Sequence, residues 1–285
     1  NALNLLTGQP VGHVDNPRTT VMEAGAASLA VASLFDGHQD QSLIERVIRD
    51  PDRYVQLIRM TFIIMIALLL FLLGWVGWKK TGSLWHALIL QITPFLSANV
   101  LEHVWTKVSP EPVLFMVSTV LVMILMYYLY DARRDSYKYV ILFAFVSGFG
   151  LATKATYFPL FFIPLLRLHG LLRKGLFIAG TVLTFVVFTS PAIPEYRHMF
   201  NWFYRLSTHT GIYGQGSEGI INPQFYIANI GQIFLANPVL SVVFIVSLIL
   251  VAIFLFRKIF RRSSYEKDNG PIPSVRLLAA ITFMV

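Results

Sequence analysis

Apolar positions in this chain gather into blocks long enough to cross a membrane, and the polar joints between them alternate in charge. Thr61–Trp78, Leu84–Val100, Pro112–Tyr130, Lys174–Ile193 and Pro238–Phe256 each approach the ~20 apolar residues that a helix needs to cross a ~30 Å hydrocarbon core. Two shorter runs, Tyr139–Ala152 and Tyr157–Leu168, flank Thr153-Lys154-Ala155-Thr156 and read as an out-and-back pair. Every second joint is basic: Lys79-Lys80, then Arg133-Arg134 with Lys138, then Arg167, Arg173 and Lys174, then Arg257-Lys258 with Arg261-Arg262. Positive charge collects on the cytoplasmic side of membrane helices, so this alternation fixes a topology. It predicts an all-α polytopic membrane protein with seven membrane-crossing or membrane-dipping helices and part of an eighth. Residues 1–58 and 194–237 then face the same non-cytoplasmic side.

The first sixty residues follow a different pattern. Gly8, Pro10, Gly12 and Asn16-Pro17 break the chain repeatedly. Thr20–Phe35 is apolar with one charge, Glu23, placed to form a capping box with Thr20. Ser42–Met60 reads as an amphipathic helix, broken near Asp50-Pro51, that leads into the first span. The expected organisation is therefore an outer loop with interfacial amphipathic helices over 1–60. A transmembrane helical domain over 61–285 contains the second outer loop, 194–237. The chain begins with Asn1, and its last apolar run, Ser274–Val285, covers about half a span. It is read as a piece of a longer chain that lacks at least one helix at each end.

Composition agrees with a membrane solvent: 55% of residues are hydrophobic and only 13% are charged, too few to cover a soluble domain. The net charge of +8 sits in short joints beside apolar spans. Headgroup contact and positive-inside bias explain it, and nucleic acid is not expected as a partner. There are no cysteines, which excludes thiolate chemistry, iron–sulfur ligation and disulfides. Membrane lipid is the partner that the pattern implies.

Three clusters could carry chemistry. Gly12-His13-Val14-Asp15-Asn16-Pro17-Arg18 precedes a helix start, where free amides and a guanidinium can hold phosphate and a carboxylate can bind sugar hydroxyls or take a proton. The same residue types also build an ordinary turn with capping side chains. Lys154 sits in an apolar stretch, where a charge must be paired, snorkelling or facing a polar cavity. The loop 194–237 carries Trp202, Tyr204, Tyr213, His198 and His209, with a glycine-rich run from His209 to Gly216. Rings there can stack on sugars, and an aromatic belt would use them too. The histidines lack metal spacing, so no dedicated metal site is expected. A divalent cation held by carboxylates and a donor phosphate is compatible with the pattern. Glu111 is placed to cap the helix it opens.

The stretch Leu5-Leu6-Thr7-Gly8-Gln9-Pro10 … Val14-Asp15-Asn16-Pro17-Arg18-Thr19-Thr20-Val21 resembles the end of the first outer loop in integral-membrane glycosyltransferases of the GT-C class. Protein O-mannosyltransferases and aminoarabinose transferases belong to that class. Val108-Ser109-Pro110-Glu111-Pro112 is similar to the Ser-Pro-Glu opening a later span in bacterial members, and Gly148-Phe149-Gly150-Leu151-Ala152-Thr153-Lys154-Ala155-Thr156 is similar to their Gly-x-Ala-x-x-Thr-Lys segment. The resemblance implies transfer of a sugar from a polyprenyl-phosphate carrier to an acceptor at the non-cytoplasmic face. It implies Asp15 and Lys154 as catalytic-site residues, and the residue chemistry of the two outer segments adds His13, Arg18, His209 and Tyr213 as substrate-binding candidates. Asn16 and Arg18 stand where the family usually has His and Gly or Pro. The family's acidic base lies earlier in this loop, in a part not present here, so Asp15 takes the role of shaping the site or binding donor or acceptor. Two alternatives stay open: a non-catalytic membrane scaffold working with partner membrane subunits, and a lipid-linked-sugar transporter. Internal hydropathy repeats, which a transporter would show, are absent from the pattern.

Overall fold

In a computed structural model, residues 1–12, 17–35, 42–98, 100–211, 214–219 and 223–261 are described. Among them the structure is helical, with no strand beyond an isolated bridge between His209 and Glu218. The helices are α1 (Ala2–Leu6), α2 (Thr19–Phe35), α3 (Leu43–Arg49), α4 (Pro51–Thr81), α5 (Leu84–Ile92), α6 (Pro110–Tyr130), α7 (Tyr137–Thr153), α8 (Phe158–Arg167), α9 (Leu171–Thr189), α10 (Tyr196–Thr208), α11 (Pro223–Ala236) and α12 (Pro238–Arg261). Short 3-10 turns occupy Thr93–Leu96, Ala155–Tyr157 and Ser190–Glu195, and a π-turn occupies Val100–Val104.

Local chemistry sets the boundaries of α3 and α4. Ser42 and Glu45 close a reciprocal capping box at the start of α3. Asp50 interrupts the chain, then its carboxylate accepts from the Arg53 amide at the start of α4. Pro51, with no amide hydrogen to leave unsatisfied, fills the first helical position. From there α4 runs unbroken for 31 residues, about 46 Å. The part of the expected amphipathic segment after Asp50 and the first span are thus one helix, and residue 60 lies inside it.

Fewer helices are long and apolar enough to cross a membrane than the seven expected. Among the described residues three qualify: Pro51–Thr81, Pro110–Tyr130 and Leu171–Thr208. A fourth arises if Ile227–Ala236 and Ser241–Ile253, bent by 108°, form one broken span. The apolar block Leu84–Val100 fails as a single helix because Pro94 cannot donate to the ladder, and the chain passes into a 3-10 turn there. The nine residues of α5 rise only about 14 Å. The 17 residues of α7 and ten of α8 rise about 26 Å and 15 Å. The break between α7 and α8 falls at the Thr153–Thr156 joint marked in the sequence, whereas the break at Pro94 inside Leu84–Val100 was not read from it.

The chain forms two compact units. The first comprises 1–67, 103–117 and 135–223; the second comprises 68–102, 118–134 and 224–285. In the first unit, α4 buries Tyr54, Ile58, Phe62 and Ile66, a stripe repeating every four residues. Its tightest packing lies between α7 and α9, where Gly148 leaves no room for a Cβ beside the backbone of Thr181 and Phe185. Gly180 likewise faces the Ala144 side chain. Phe149 and Phe188 meet edge to face with centroids 4.8 Å apart. In the second unit the Gln91 amide reaches the Leu70 carbonyl at 3.0 Å, and Asn237 accepts from the Ala98 amide at 3.2 Å. Lys80 stands over the Tyr127 ring at 4.3 Å.

Candidate functional site

The site lies within the first unit, where the start of α2 meets the end of α7. Thr19 and Thr20 are fully buried, and their hydroxyls do not cap their own helix. Thr20 donates to the Thr153 hydroxyl at 2.8 Å, and Thr153 donates onward to the Phe149 carbonyl at 2.9 Å. The Thr19 hydroxyl donates to the Ala152 carbonyl at 3.4 Å. Tertiary partners have displaced the expected capping box, since a buried hydroxyl needs a bond more than a helix start needs this particular cap. Instead the Arg18 carbonyl receives the amides of Val21 and Met22. Arg18 itself has φ +47°, a left-handed conformation that costs a residue with a Cβ about 1–2 kcal/mol. Its side chain is exposed between the buried Pro17 and Thr19.

These bonds hold the segment at Pro17–Thr20 against Ala152 and Thr153, the residues just before Lys154, which ends α7 in extended conformation. The Lys154 ammonium donates to the Glu111 carboxylate at 2.7 Å, and the two side chains keep 24% and 32% of their exposure. Glu111 does sit in the first turn of α6, as a capping residue should. Its carboxylate is nevertheless committed to Lys154, a partner 43 positions away. The sequence contains a signal for this pairing. An isolated ammonium in an apolar stretch requires a counter-charge, and Glu111 falls on the same predicted side. The ammonium has three N–H groups and spends one on Glu111, so two remain for another acceptor.

A cavity of about 530 Å³ opens in the same unit, within the range of small-molecule sites. Pro17, Leu151, Ala155, Phe158, Thr181, Val182, Phe185, Phe200 and Phe203 line it. Its walls are aromatic and aliphatic, with Pro17 and Ala155 each one residue from a cationic position. Thr181 supplies the polar exception: its buried hydroxyl has no hydrogen-bond partner among the described residues. Neither does the fully buried Tyr157 hydroxyl, whose ring fills the space left by Gly150. Phe200 and Phe203 come from α10, so part of the segment expected as an outer loop is an amphipathic helix that walls the cavity.

The remaining sequence candidates separate. His13, Asp15 and Tyr213 lie outside the described residues. His209 ends α10, with its ring nitrogen 2.9 Å from the Thr208 hydroxyl and its backbone bridged to Glu218. It does not line the cavity. Burial raises the Glu23 carboxyl of α2 to about 7 by stripping its water. No group of three or more metal-ligating side chains occurs among the described residues. The chemistry available is thus a largely apolar pocket with one unspent hydroxyl; Arg18 and Lys154 are the chain neighbours of its lining residues Pro17 and Ala155 but do not themselves line it. Comparison with models of known families, with curated proteins and with solved structures found no match, so the glycosyltransferase resemblance rests on the residues named above.

Proposed function

We propose that this chain is a multi-pass membrane protein that binds a polyprenyl-phosphate sugar and transfers the sugar to an acceptor at the non-cytoplasmic face, as GT-C glycosyltransferases do. The observation that carries the proposal is the apolar cavity whose lining residues Pro17 and Ala155 are the chain neighbours of Arg18 and Lys154. An amphiphile with an anionic head and an apolar tail needs those two environments side by side. In the transfer step the acceptor oxygen attacks the anomeric carbon and forms the new C–O bond. The bond between that carbon and the phosphate oxygen breaks with its electron pair going to phosphate, and the acceptor proton passes to a carboxylate. Lys154 and Arg18 stabilise the charge that grows on the leaving phosphate. Asp15 shapes the site or binds donor or acceptor. A divalent cation, were one bound, would supply further positive charge for the leaving phosphate; no residue role above depends on it.

A non-catalytic scaffold, packed with partner membrane subunits, is the second reading. Lys154 and Glu111 satisfy one another, as they would in a purely structural pair. The deciding assay is sugar transfer from a labelled polyprenyl-phosphate donor in membranes containing the full-length protein. Transfer above background supports the enzyme. No transfer from any lipid donor tested supports the scaffold.

The proposed topology places residues 1–58 and 194–237 in one compartment. Because the chain has no cysteine of its own, single replacements Gln9→Cys and Gln215→Cys can be labelled with a membrane-impermeant thiol reagent. Both are expected to react from the non-cytoplasmic side. Labelling from opposite sides would overturn the topology.

A further inference from the structure

The chain leaving α10 folds back on itself, so that 208–210 and 217–219 lie antiparallel. The Thr210 amide donates to the Ser217 carbonyl at 2.9 Å, and the Gly219 amide donates to the Thr208 carbonyl at 2.8 Å. Those two bonds bracket the bridge between His209 and Glu218, which is therefore a non-hydrogen-bonded antiparallel pair. Residues paired in this way have Cα atoms about 4.5 Å apart and side chains on one face of the ribbon. Thr210 and Ser217 take the other face, where their hydroxyls lie 3.5 Å apart. The separation of His209 and Glu218 along the chain carries no metal-ligand signature, and the turn makes them neighbours.

The proton on the His209 ring can be placed. Its Nδ1 lies 2.9 Å from the Thr208 hydroxyl oxygen. That hydroxyl has one hydrogen and gives it to the Tyr204 carbonyl at 2.7 Å, since a carbonyl can only accept. The contact with His209 is then a hydrogen bond from Nδ1–H to the threonine oxygen. The neutral imidazole therefore keeps its free lone pair on Nε2. Metal-ligating histidines hold their other ring N–H on a fixed acceptor in the same way, and here the acceptor is a hydroxyl pinned to the helix backbone. The Glu218 side chain is exposed. It makes no hydrogen bond or ion pair among the described residues, so its carboxylate is free to turn toward Nε2.

We infer that His209 Nε2 and the Glu218 carboxylate bind a divalent cation of the zinc class, with water completing the coordination shell. Zinc–nitrogen and zinc–oxygen bonds of ordinary length put two such donors roughly 3–3.5 Å apart, a separation within reach of facing side chains on one ribbon. An imidazole donor suits zinc, nickel or copper, whereas magnesium and calcium take oxygen ligands. Arg205, in the last turn of α10, brings positive charge to the same end. The binding energy therefore comes from coordination by nitrogen and carboxylate rather than from a negative surface. Bound there, the cation ties the returning arm to the end of α10, the helix that walls the large cavity with Phe200 and Phe203. The inference depends neither on sugar transfer nor on sidedness.

The test is isothermal titration of the full-length protein in detergent with Zn²⁺ and, separately, with Mg²⁺. The wild type is expected to bind zinc and to give no binding heat with magnesium at the same concentration. His209→Ala and Glu218→Gln should each weaken zinc binding by about tenfold or more; the second is a change of an exposed side chain and leaves the fold intact. Thr208→Val removes the acceptor of the Nδ1 proton while keeping the side-chain shape, and should weaken binding about tenfold, the lower end for the loss of an outer partner. Thr208→Ser keeps the hydroxyl and should bind like the wild type, as should His169→Ala at a different joint. Zinc should also slow proteolysis within 209–218 in the wild type and not in Glu218→Gln. No zinc binding by the wild type, undiminished binding in either His209→Ala or Glu218→Gln, equal affinities for Thr208→Val and Thr208→Ser, or magnesium binding as tight as zinc would each overturn the inference.

Discussion

Removing the Lys154 ammonium should affect folding and transfer together, and a charge swap should separate the two. Lys154→Ala leaves the Glu111 carboxylate in a half-buried setting without its counter-ion. A fully buried pair broken in this way loses about 3–5 kcal/mol, and partial exposure of both side chains reduces the expected loss to about 1–3 kcal/mol. Glu111→Ala should cost a similar amount, and the double alanine variant less than the two losses added. If Lys154 also acts on the leaving phosphate, the transfer barrier should rise by about 2–4 kcal/mol beyond the loss of folded protein, as when one oxyanion donor is removed. The swapped variant Lys154→Glu with Glu111→Lys should recover most of the stability while transfer stays low, because the cation then projects from α6. Lys154→Arg should rescue transfer only partly, since a planar fork replaces a compact ammonium. The readouts are unfolding in detergent and transfer normalised to folded protein. Full recovery of transfer in the swapped variant would make the pair purely structural.

The second large effect is steric. A Cβ at Gly148 would lie 2.5 Å from the Thr181 carbonyl oxygen, 2.5 Å from Cβ of Thr184 and 2.9 Å from the Phe185 amide nitrogen. Two of those three atoms are backbone, which cannot rotate away, so Gly148→Ala must force α7 and α9 apart. The expected loss is about 3 kcal/mol, at the upper end for overpacking. Gly175→Ala in α9 is the control, since nothing lies within 4 Å of its Cβ position. There the gain in helix propensity should leave stability unchanged or raise it by up to about 1 kcal/mol. Thermal unfolding of the two variants in the same detergent would compare them. A Gly148→Ala protein as stable as the wild type would contradict the packing of α7 on α9.

Much of the helical pattern was legible in the sequence because it depends on local signals. Ser42 and Glu45 announce the start of α3, Asp50-Pro51 announces the start of α4, and the apolar blocks mark α6, α7, α9 and α12. The number of crossing helices was not legible from block length alone. Pro94 divides one apolar block, and the two runs around Lys154, read from the sequence as a pair, form helices shorter than a full span. At the candidate site, the importance of Lys154 followed from the cost of a charge in an apolar stretch. Its bond to Glu111 did not, although both residues carried signals of their own. The roles of Thr19 and Thr20 were misread for a physical reason. Hydroxyls at a helix start favour capping when nothing else is near, but here a second helix end offers Thr153 and the Ala152 carbonyl. The aromatic wall from α10 was also hidden, because Phe200 and Phe203 share one face only once that segment is helical.

What occupies the cavity lined by Leu151, Phe185, Phe200 and Phe203 decides between donor site and scaffold most directly. A polyprenyl phosphate carrying a photoreactive group in its tail, irradiated with the full-length protein in membranes, should form adducts that peptide mapping places at Leu151, Phe185, Phe200 or Phe203. Excess unlabelled polyprenyl phosphate should suppress them, and Val182→Trp, which fills the pocket, should remove them. Adducts spread along the lipid-facing surfaces of α4 and α12, unaffected by competitor or by Val182→Trp, would contradict it.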